Sequence, residues 1–140
     1  REYAESWGIY MQLTNILRDV AEDIERDRVY LPLEDLKRYG ISEEDLKSGK
    51  DILKHPGWKP FVSEFISRAD KYRERGLKLF SLLDKSSRYS PAAMTTFYHS
   101  IMKKIEKNDG DVFSERTQLS KTEKIGLAAY IYVRYRFFAV

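Results

Sequence analysis

The chain has 140 residues, 42% of them hydrophobic, with a formal net charge of +3 and no cysteine. This length and apolar content suffice for one domain with a packed core, while the lack of cysteine excludes disulfides, thiolate metal sites and cysteine nucleophiles. Basic and acidic residues are interleaved, so no basic run indicates nucleic-acid binding, and no apolar run reaches the roughly 18 residues of a transmembrane helix.

Hydrophobic periodicity predicts helices throughout and no strand, so the predicted fold class is all-α. Gly76 lies inside a predicted helix, where it costs about 1 kcal/mol relative to alanine and indicates close helix packing. The predicted segments are, in chain order, a helix over 2–26, an extended stretch over 28–32, short helices after Pro32 and Ser42 that end at Gly40 and Gly49, a loop over 50–58, a helix over 60–85, a helix opened by Ser90 and Pro91 that runs to about 107, a turn over 108–111, and a helix over 121–138 begun by a capping box of Ser120 and Glu123.

The first predicted helix carries a polar stripe of unusual content beside an apolar one. At about 100° per residue, five polar residues fall within an arc of roughly 100°: Gln12, Asn15, Asp19, Glu22 and Asp23. Hard cations such as Mg²⁺ prefer oxygen ligands and usually lie between one or two carboxylates and substrate phosphates. The stripe is therefore a candidate half of a diphosphate–metal site. On the pattern alone, the alternative is the solvated face of an amphipathic helix.

The sequence around this stripe resembles the second aspartate-rich motif of the squalene/phytoene synthase family. The family pattern is close to QxxNxxRDxxEDxxxxRxYLP, and residues 12–32 read QLTNILRDVAEDIERDRVYLP. The segment that begins at Tyr98 and continues through Asn108 and Phe113 to Arg116 resembles the late motif of the same family. The resemblance covers most of the chain, although residues 50–95 match only as generic helix.

The resemblance implies an all-α isoprenoid-synthase fold, a helical bundle of which residues 1–140 form the C-terminal part as a single unit. The implied reaction joins two prenyl diphosphates, farnesyl or geranylgeranyl diphosphate, through a cyclopropyl intermediate, with Mg²⁺ as cofactor and loss of diphosphate. Two aspartate-rich helices would face each other across a cavity. Only the second occurs in this sequence, so the first is expected upstream of Arg1, and the fragment alone is expected to be inactive.

The same resemblance assigns roles to individual residues. Asp19 and Asp23 are the implied catalytic carboxylates, and Glu22 is expected behind them or on the surface. The pattern leaves bland alternatives open: a surface ion pair for Arg18, a packed tyrosine for Tyr98 and a surface arginine for Arg116. The implied metal ligands are Asn15, Asp19 and Asp23, and the implied substrate contacts are Gln12, Arg18, Tyr98 and Arg116.

Some positions depart from the family pattern or carry a weaker expectation. His99 replaces the family's arginine after the tyrosine, and Gly110 replaces an aromatic residue in the turn. Four apolar residues are candidates for a cavity wall that would stabilise a carbocation: Tyr10, Met11, Met94 and Phe97.

Three functions and two locations remain open at this stage. The leading function is the prenyltransferase, and its rivals are a farnesyl diphosphate phosphatase of the same fold and a non-catalytic helical homologue. A cytoplasmic location is expected. The apolar tail from Ile125 to Val140 is expected to end a core helix, with a peripheral membrane-surface helix as the alternative.

Overall fold

A computed structural model describes residues 1–137, which form helices joined by short connections without any strand. The all-α prediction is confirmed. The last three residues of the predicted final helix and tail, 138–140, lie outside the described residues. The α-helices are α1 (Glu2–Arg18), α2 (Val20–Glu25), α3 (Leu33–Arg38), α4 (Glu43–Lys47), α5 (Trp58–Leu77), α6 (Tyr89–Lys107) and α7 (Lys121–Phe137), and 3-10 helices cover Gly49–Lys54, Lys78–Leu82 and Lys85–Ser87.

The helices α1, α5 and α6 form the centre of the structure, with α1 packed along α5 and α6 against both. Tyr10 and Leu17 of α1, Phe61 and Phe65 of α5 and Met102 of α6 are all buried in one hydrophobic cluster. Burial of these large side chains supplies the main stabilising free energy of the unit. The cluster fixes the position of α1, which carries the first residues of the polar stripe, Gln12 and Asn15.

Gly76 lies at a close approach between α5 and α1. A Cβ atom at this position would lie 2.8 Å from the Cα atom of Trp7 and 2.9 Å from its backbone nitrogen. The side chain of Trp7 then reaches α6, where its Nε1 donates to Oγ1 of Thr95 at 2.7 Å. The predicted close packing at Gly76 agrees with these distances, and it sets the spacing between the two helices.

Two predicted boundaries in the middle of the chain are wrong. The first residues of the predicted loop over 50–58 belong to the 3-10 helix Gly49–Lys54, and Ile52 in this helix is buried in the core. The predicted helix over 60–85 begins at Trp58 and ends as an α-helix at Leu77, after which it tightens to a 3-10 helix and stops at the extended residue Leu83. Over so few residues, apolar spacing does not distinguish an α-helix from a 3-10 helix.

The predicted start of α6 is also wrong. The helix begins at Tyr89, and Ser90 and Pro91 lie inside its first turn instead of opening it. Proline is tolerated there because the first four N–H groups of a helix have no acceptor within the helix. No helix within residues 1–137 is long and apolar enough to cross a bilayer.

The predicted capping box at the start of α7 is present. The backbone N–H of Ser120 donates to Oε2 of Glu123 at 2.7 Å, and the N–H of Glu123 donates to Oγ of Ser120 at 3.2 Å. Lys104 of α6 donates to the same Glu123 carboxylate at 2.8 Å. The hydrogen bond from Lys104, followed by those from Ser120, lowers the pKa of Glu123 from 4.5 to about 2.

The stability that Glu123 contributes is expected to depend on pH. Because its pKa is lower in the folded than in the unfolded protein, the contribution is present above the unfolded value of 4.5 and is lost as the pH falls towards 2. We expect Glu123→Gln to lower the unfolding temperature of the complete protein at neutral pH. The difference from the parent should shrink as the pH falls from about 5 to about 3.

Thermal unfolding at several pH values checks this expectation. Glu115→Gln is the control, since Glu115 is exposed and makes no ion pair within residues 1–137. A deficit for Glu123→Gln that is the same at every pH would contradict the ionised contact.

Candidate functional site

The predicted first helix is interrupted once, at Asp19, so the prediction of a single helix over 2–26 is wrong. Asp19 has φ −100° and ψ 11°, which ends α1 before α2 begins. The N–H of Asp19 donates to the carbonyl of Asn15 at 2.9 Å, and the N–H of Asp23 donates to the carbonyl of Asp19 at 2.9 Å. Because these bonds keep the helical i to i+4 spacing on both sides of the break, the three predicted metal ligands still follow one another turn by turn.

Two arginines bind the Asp19 carboxylate, and one of them is distant in the sequence. Arg18 binds it with two hydrogen bonds, Nε to Oδ1 at 2.7 Å and Nη2 to Oδ2 at 2.6 Å. Arg116, which is 97 residues away in sequence, donates from Nε to Oδ1 at 3.0 Å. The side chains of Arg18 and Asp19 are only 17% and 20% exposed, so this pair is more than a solvated surface contact.

These contacts keep the carboxylate of Asp19 ionised. Burial raises the pKa of Asp19, but the hydrogen bonds from Arg18 and Arg116 outweigh burial, so the pKa lies below its usual value. Its hydrogen bond to Asp19 in turn raises the pKa of Arg18 against the opposing effect of burial, and Tyr98 and Glu22 add smaller contributions in the same direction. The site therefore presents a permanent anion between permanent cations.

Asn15 carries the observation that most directly points to a bound cation. Its side-chain oxygen Oδ1 is buried and accepts no hydrogen bond within the described part of the chain. A buried acceptor without a donor costs free energy, and such groups are uncommon in folded proteins. A metal ion beside Asn15 and Asp19 would satisfy this oxygen, so the residues present fit an oxygen-ligated cation such as Mg²⁺.

The other two polar residues of the stripe flank this pair. Gln12 is exposed on α1, one turn before Asn15 and Ile16, and Asp23 is half-buried on α2, one turn after Asp19. Neither side chain makes a hydrogen bond to another described residue. The residues described also contain no group of three or more histidine, aspartate or glutamate side chains arranged to hold a metal ion.

The segment between α6 and α7 brings Arg116 to the stripe. Asp111 shapes this segment by accepting hydrogen bonds from the backbone N–H groups of Phe113 and Ser114, at 3.1 and 2.8 Å. The segment and the end of α6 line a cavity of about 600 Å³ whose basic side chains include Arg116 and Lys107. Both predicted motifs thus meet at one place, which joins the predicted residues Arg116 and Asp19 directly.

Sequence reasoning missed a further contact of Arg116. Its Nε also lies 3.2 Å from Oε1 of Glu22, which was expected to be marginal. The spacing in the sequence could have indicated this contact, because Glu22 lies three residues after Asp19 and therefore on the same helical face.

The cavity-wall expectation is wrong for two of its four residues. Tyr10 is 0% exposed and Met11 is 8% exposed, both within the hydrophobic cluster around α1, so they pack against this chain instead of facing a cavity. Phe97 is half-buried and Met94 is exposed on α6. The periodicity around residue 10 could not separate a core-facing position from a cavity-facing one.

Gly110, one of the two departures from the family pattern, has a structural reason in the turn that follows α6. It adopts φ +80°, and a Cβ atom there would lie 3.0 Å from Val62 of α5. Its carbonyl accepts a hydrogen bond from Nε1 of Trp58 at 3.0 Å. The turn that leads into the Arg116 segment is therefore packed directly on α5, a position that suits a residue without a side chain.

His99, the other departure, lies near Asp70 of α5. It is half-buried on α6, and its Nδ1 is 3.7 Å from Oδ1 of Asp70 on α5. Its Nδ1 makes no hydrogen bond among the described residues, so His99 lies between the two helices without bonding across them.

Known proteins resemble the chain over most of its length. The family model for squalene/phytoene synthase matches residues 1–123. The chain is 40% identical over 127 residues to phytoene synthase 2, chloroplastic, of Solanum lycopersicum. This alignment covers 91% of this chain and 40% of that protein. It is 38% identical over 125 residues to a 15-cis-phytoene synthase of Synechocystis. That alignment covers 89% of this chain and 36% of the relative.

A solved structure has the same fold. The chain superposes on a dehydrosqualene synthase crystallised with a ligand, with a TM-score of 0.82 and 26% identity, over 96% of this chain and 46% of that one. The chain spans 28% to 40% of the length of the curated relatives it matches. The sequence match, the shared fold and the meeting of the two motifs at Asp19 agree, and the chain belongs to the squalene/phytoene synthase family.

Proposed function

We propose that the complete protein is a prenyltransferase that joins two prenyl diphosphates and releases diphosphate, in isoprenoid or carotenoid biosynthesis. The observation that carries the proposal is the buried oxygen of Asn15, one helical turn before Asp19, which has no hydrogen-bond partner among the described residues, together with the hydrogen bond from Arg116 of the late motif to the Asp19 carboxylate. Family membership supports the reaction class. Because the chain spans less than half the length of its curated relatives, the proposal concerns the complete protein.

Asn15, Asp19 and Asp23 would hold Mg²⁺ through their side-chain oxygens. Bound there, Mg²⁺ would neutralise the negative charge that builds up on the departing diphosphate. The rest of the coordination is proposed to come from a second acidic helix outside these 140 residues, since the chain spans less than half the length of its curated relatives.

The cationic side chains would bind the diphosphate itself. Arg18 and Arg116 already meet at Asp19, and the planar guanidinium group suits the geometry of phosphate oxygens. Tyr98 adds a small contribution to the raised pKa of Arg18, which supports a role for its hydroxyl group as a further donor to the diphosphate. Donors fixed before the reaction stabilise the leaving group more as the carbon–oxygen bond breaks than before it breaks. Gln12, exposed one turn before Asn15, would contact substrate at the open end of the stripe.

The products formed by the complete protein test this proposal. Incubation with farnesyl or geranylgeranyl diphosphate and Mg²⁺ should yield a coupled prenyl product together with diphosphate, and chelation of the metal should abolish the yield. Release of the free prenyl alcohol without a coupled product would instead identify the phosphatase. No turnover of either substrate would favour the non-catalytic homologue.

A further inference from the structure

We propose that Glu22 is a positioning residue that keeps Arg116 at the diphosphate site when Asp19 engages a metal ion. The inference rests on the proposed function and adds a role for a carboxylate that is neither an assigned metal ligand nor a substrate contact. Its physical basis is the sharing of one guanidinium group between two carboxylates.

Arg116 contacts two carboxylates, of which one is also bound by a second arginine and the other is not. Its Nε lies 3.0 Å from Asp19 and 3.2 Å from Glu22. Asp19 also receives two hydrogen bonds from Arg18, so it does not depend on Arg116 for a partner. Among the side chains that the structure describes, Arg116 is the only cation paired with Glu22. Arg116 can therefore leave Asp19 while it remains bound to Glu22.

A metal ion at Asp19 would favour this transfer. A cation on the carboxylate repels the guanidinium groups that share it, and the repulsion grows in a partly buried site. The side chain of Arg116 is 48% exposed, so without a second partner it would move into solvent and regain rotamer freedom. Glu22 lies on α2, three residues after Asp19. It would hold the guanidinium group of Arg116 beside the metal and at the edge of the cavity of about 600 Å³ that Arg116 lines.

This role predicts an effect opposite in sign to simple electrostatics. A carboxylate near an anion-binding site ordinarily weakens anion binding, so replacement of Glu22 by a neutral residue would ordinarily strengthen it. If Glu22 instead keeps Arg116 in position, its replacement weakens anion binding, because the arginine must then be immobilised when the anion binds. The sign of the change separates the two explanations.

The experiment measures binding of inorganic diphosphate to the complete protein by calorimetry in saturating Mg²⁺. We expect Glu22→Gln to raise the dissociation constant about three- to tenfold, the cost of immobilising one long side chain. In an Arg116→Gln background the same replacement should not raise it, because the residue through which Glu22 acts is absent. Glu25→Gln is the matched control, since Glu25 is exposed on the same helix and forms no ion pair among the described residues.

Each outcome decides between the possibilities. Unchanged or tighter binding by Glu22→Gln would overturn the inference alone, as would equal weakening in the Arg116→Gln background. A parent protein that does not bind diphosphate in the presence of Mg²⁺ would overturn the proposed function, and the inference with it. Weakening by Glu22→Gln that disappears in the Arg116→Gln background supports the positioning role.

Discussion

Asp19→Asn in the complete protein should reduce the rate of prenyl diphosphate coupling by at least about a hundredfold, comparable to the loss of a major electrostatic contact in a transition state. Asparagine keeps the shape of the side chain but removes the charge that would hold a cation. The replacement also leaves the two guanidinium groups now paired with Asp19 facing a neutral amide. Steady-state kinetics at limiting and at saturating Mg²⁺ measure the loss.

Asp27→Asn is the control for this variant, because the chemical change is identical and the site is different. The Asp27 side chain is 91% exposed and forms one ion pair among the described residues, with Lys47 at 3.4 Å. Exposed ion pairs of this kind contribute little, so its effect on the rate should be less than about twofold. Circular dichroism and thermal unfolding establish that both variants are folded. Activity of Asp19→Asn close to that of the parent at both Mg²⁺ concentrations would remove Asp19 from the proposed ligand set.

Gly76→Ala should lower the free energy of unfolding by about 1–3 kcal/mol, the usual range for overpacking a close contact. The added Cβ atom would lie within 3.0 Å of the backbone of Trp7, and backbone atoms cannot move aside as a flexible side chain can. The helices α1 and α5 would have to separate, which would also displace the stripe on α1. Urea unfolding of the complete protein measures the change.

Gly126→Ala is the matched control for Gly76→Ala. Gly126 also lies inside a helix, but a Cβ atom there meets nothing within 4 Å. Alanine is favoured over glycine in a helix, so this variant should gain up to about 1 kcal/mol. If both variants shifted the free energy of unfolding by the same amount and in the same direction, the close contact at Trp7 would not be the cause.

Local sequence signals predicted the helical class and several of its details. The capping box at Ser120 and the turn after α6 depend on residues within a few positions of one another, so their hydrogen bonds follow from local spacing. The polar stripe follows from helical periodicity in the same way. Errors occurred where short-range spacing is ambiguous, as at the 3-10 extension of α5 and at the break in the helix at Asp19.

By itself, the sequence determined the helical class, the stripe with Asn15 and Asp19, and the family resemblance, because these depend on residue type and local periodicity. Only the tertiary structure decided which residues complete the stripe. It brought Arg116 across 97 residues to Asp19, linked it to Glu22, and buried the oxygen of Asn15 without a partner. Such contacts depend on how α1, α5 and α6 pack against one another. Close approaches such as that at Gly76 set this packing, and the periodicity of a single helix does not determine how that helix is oriented against its neighbours.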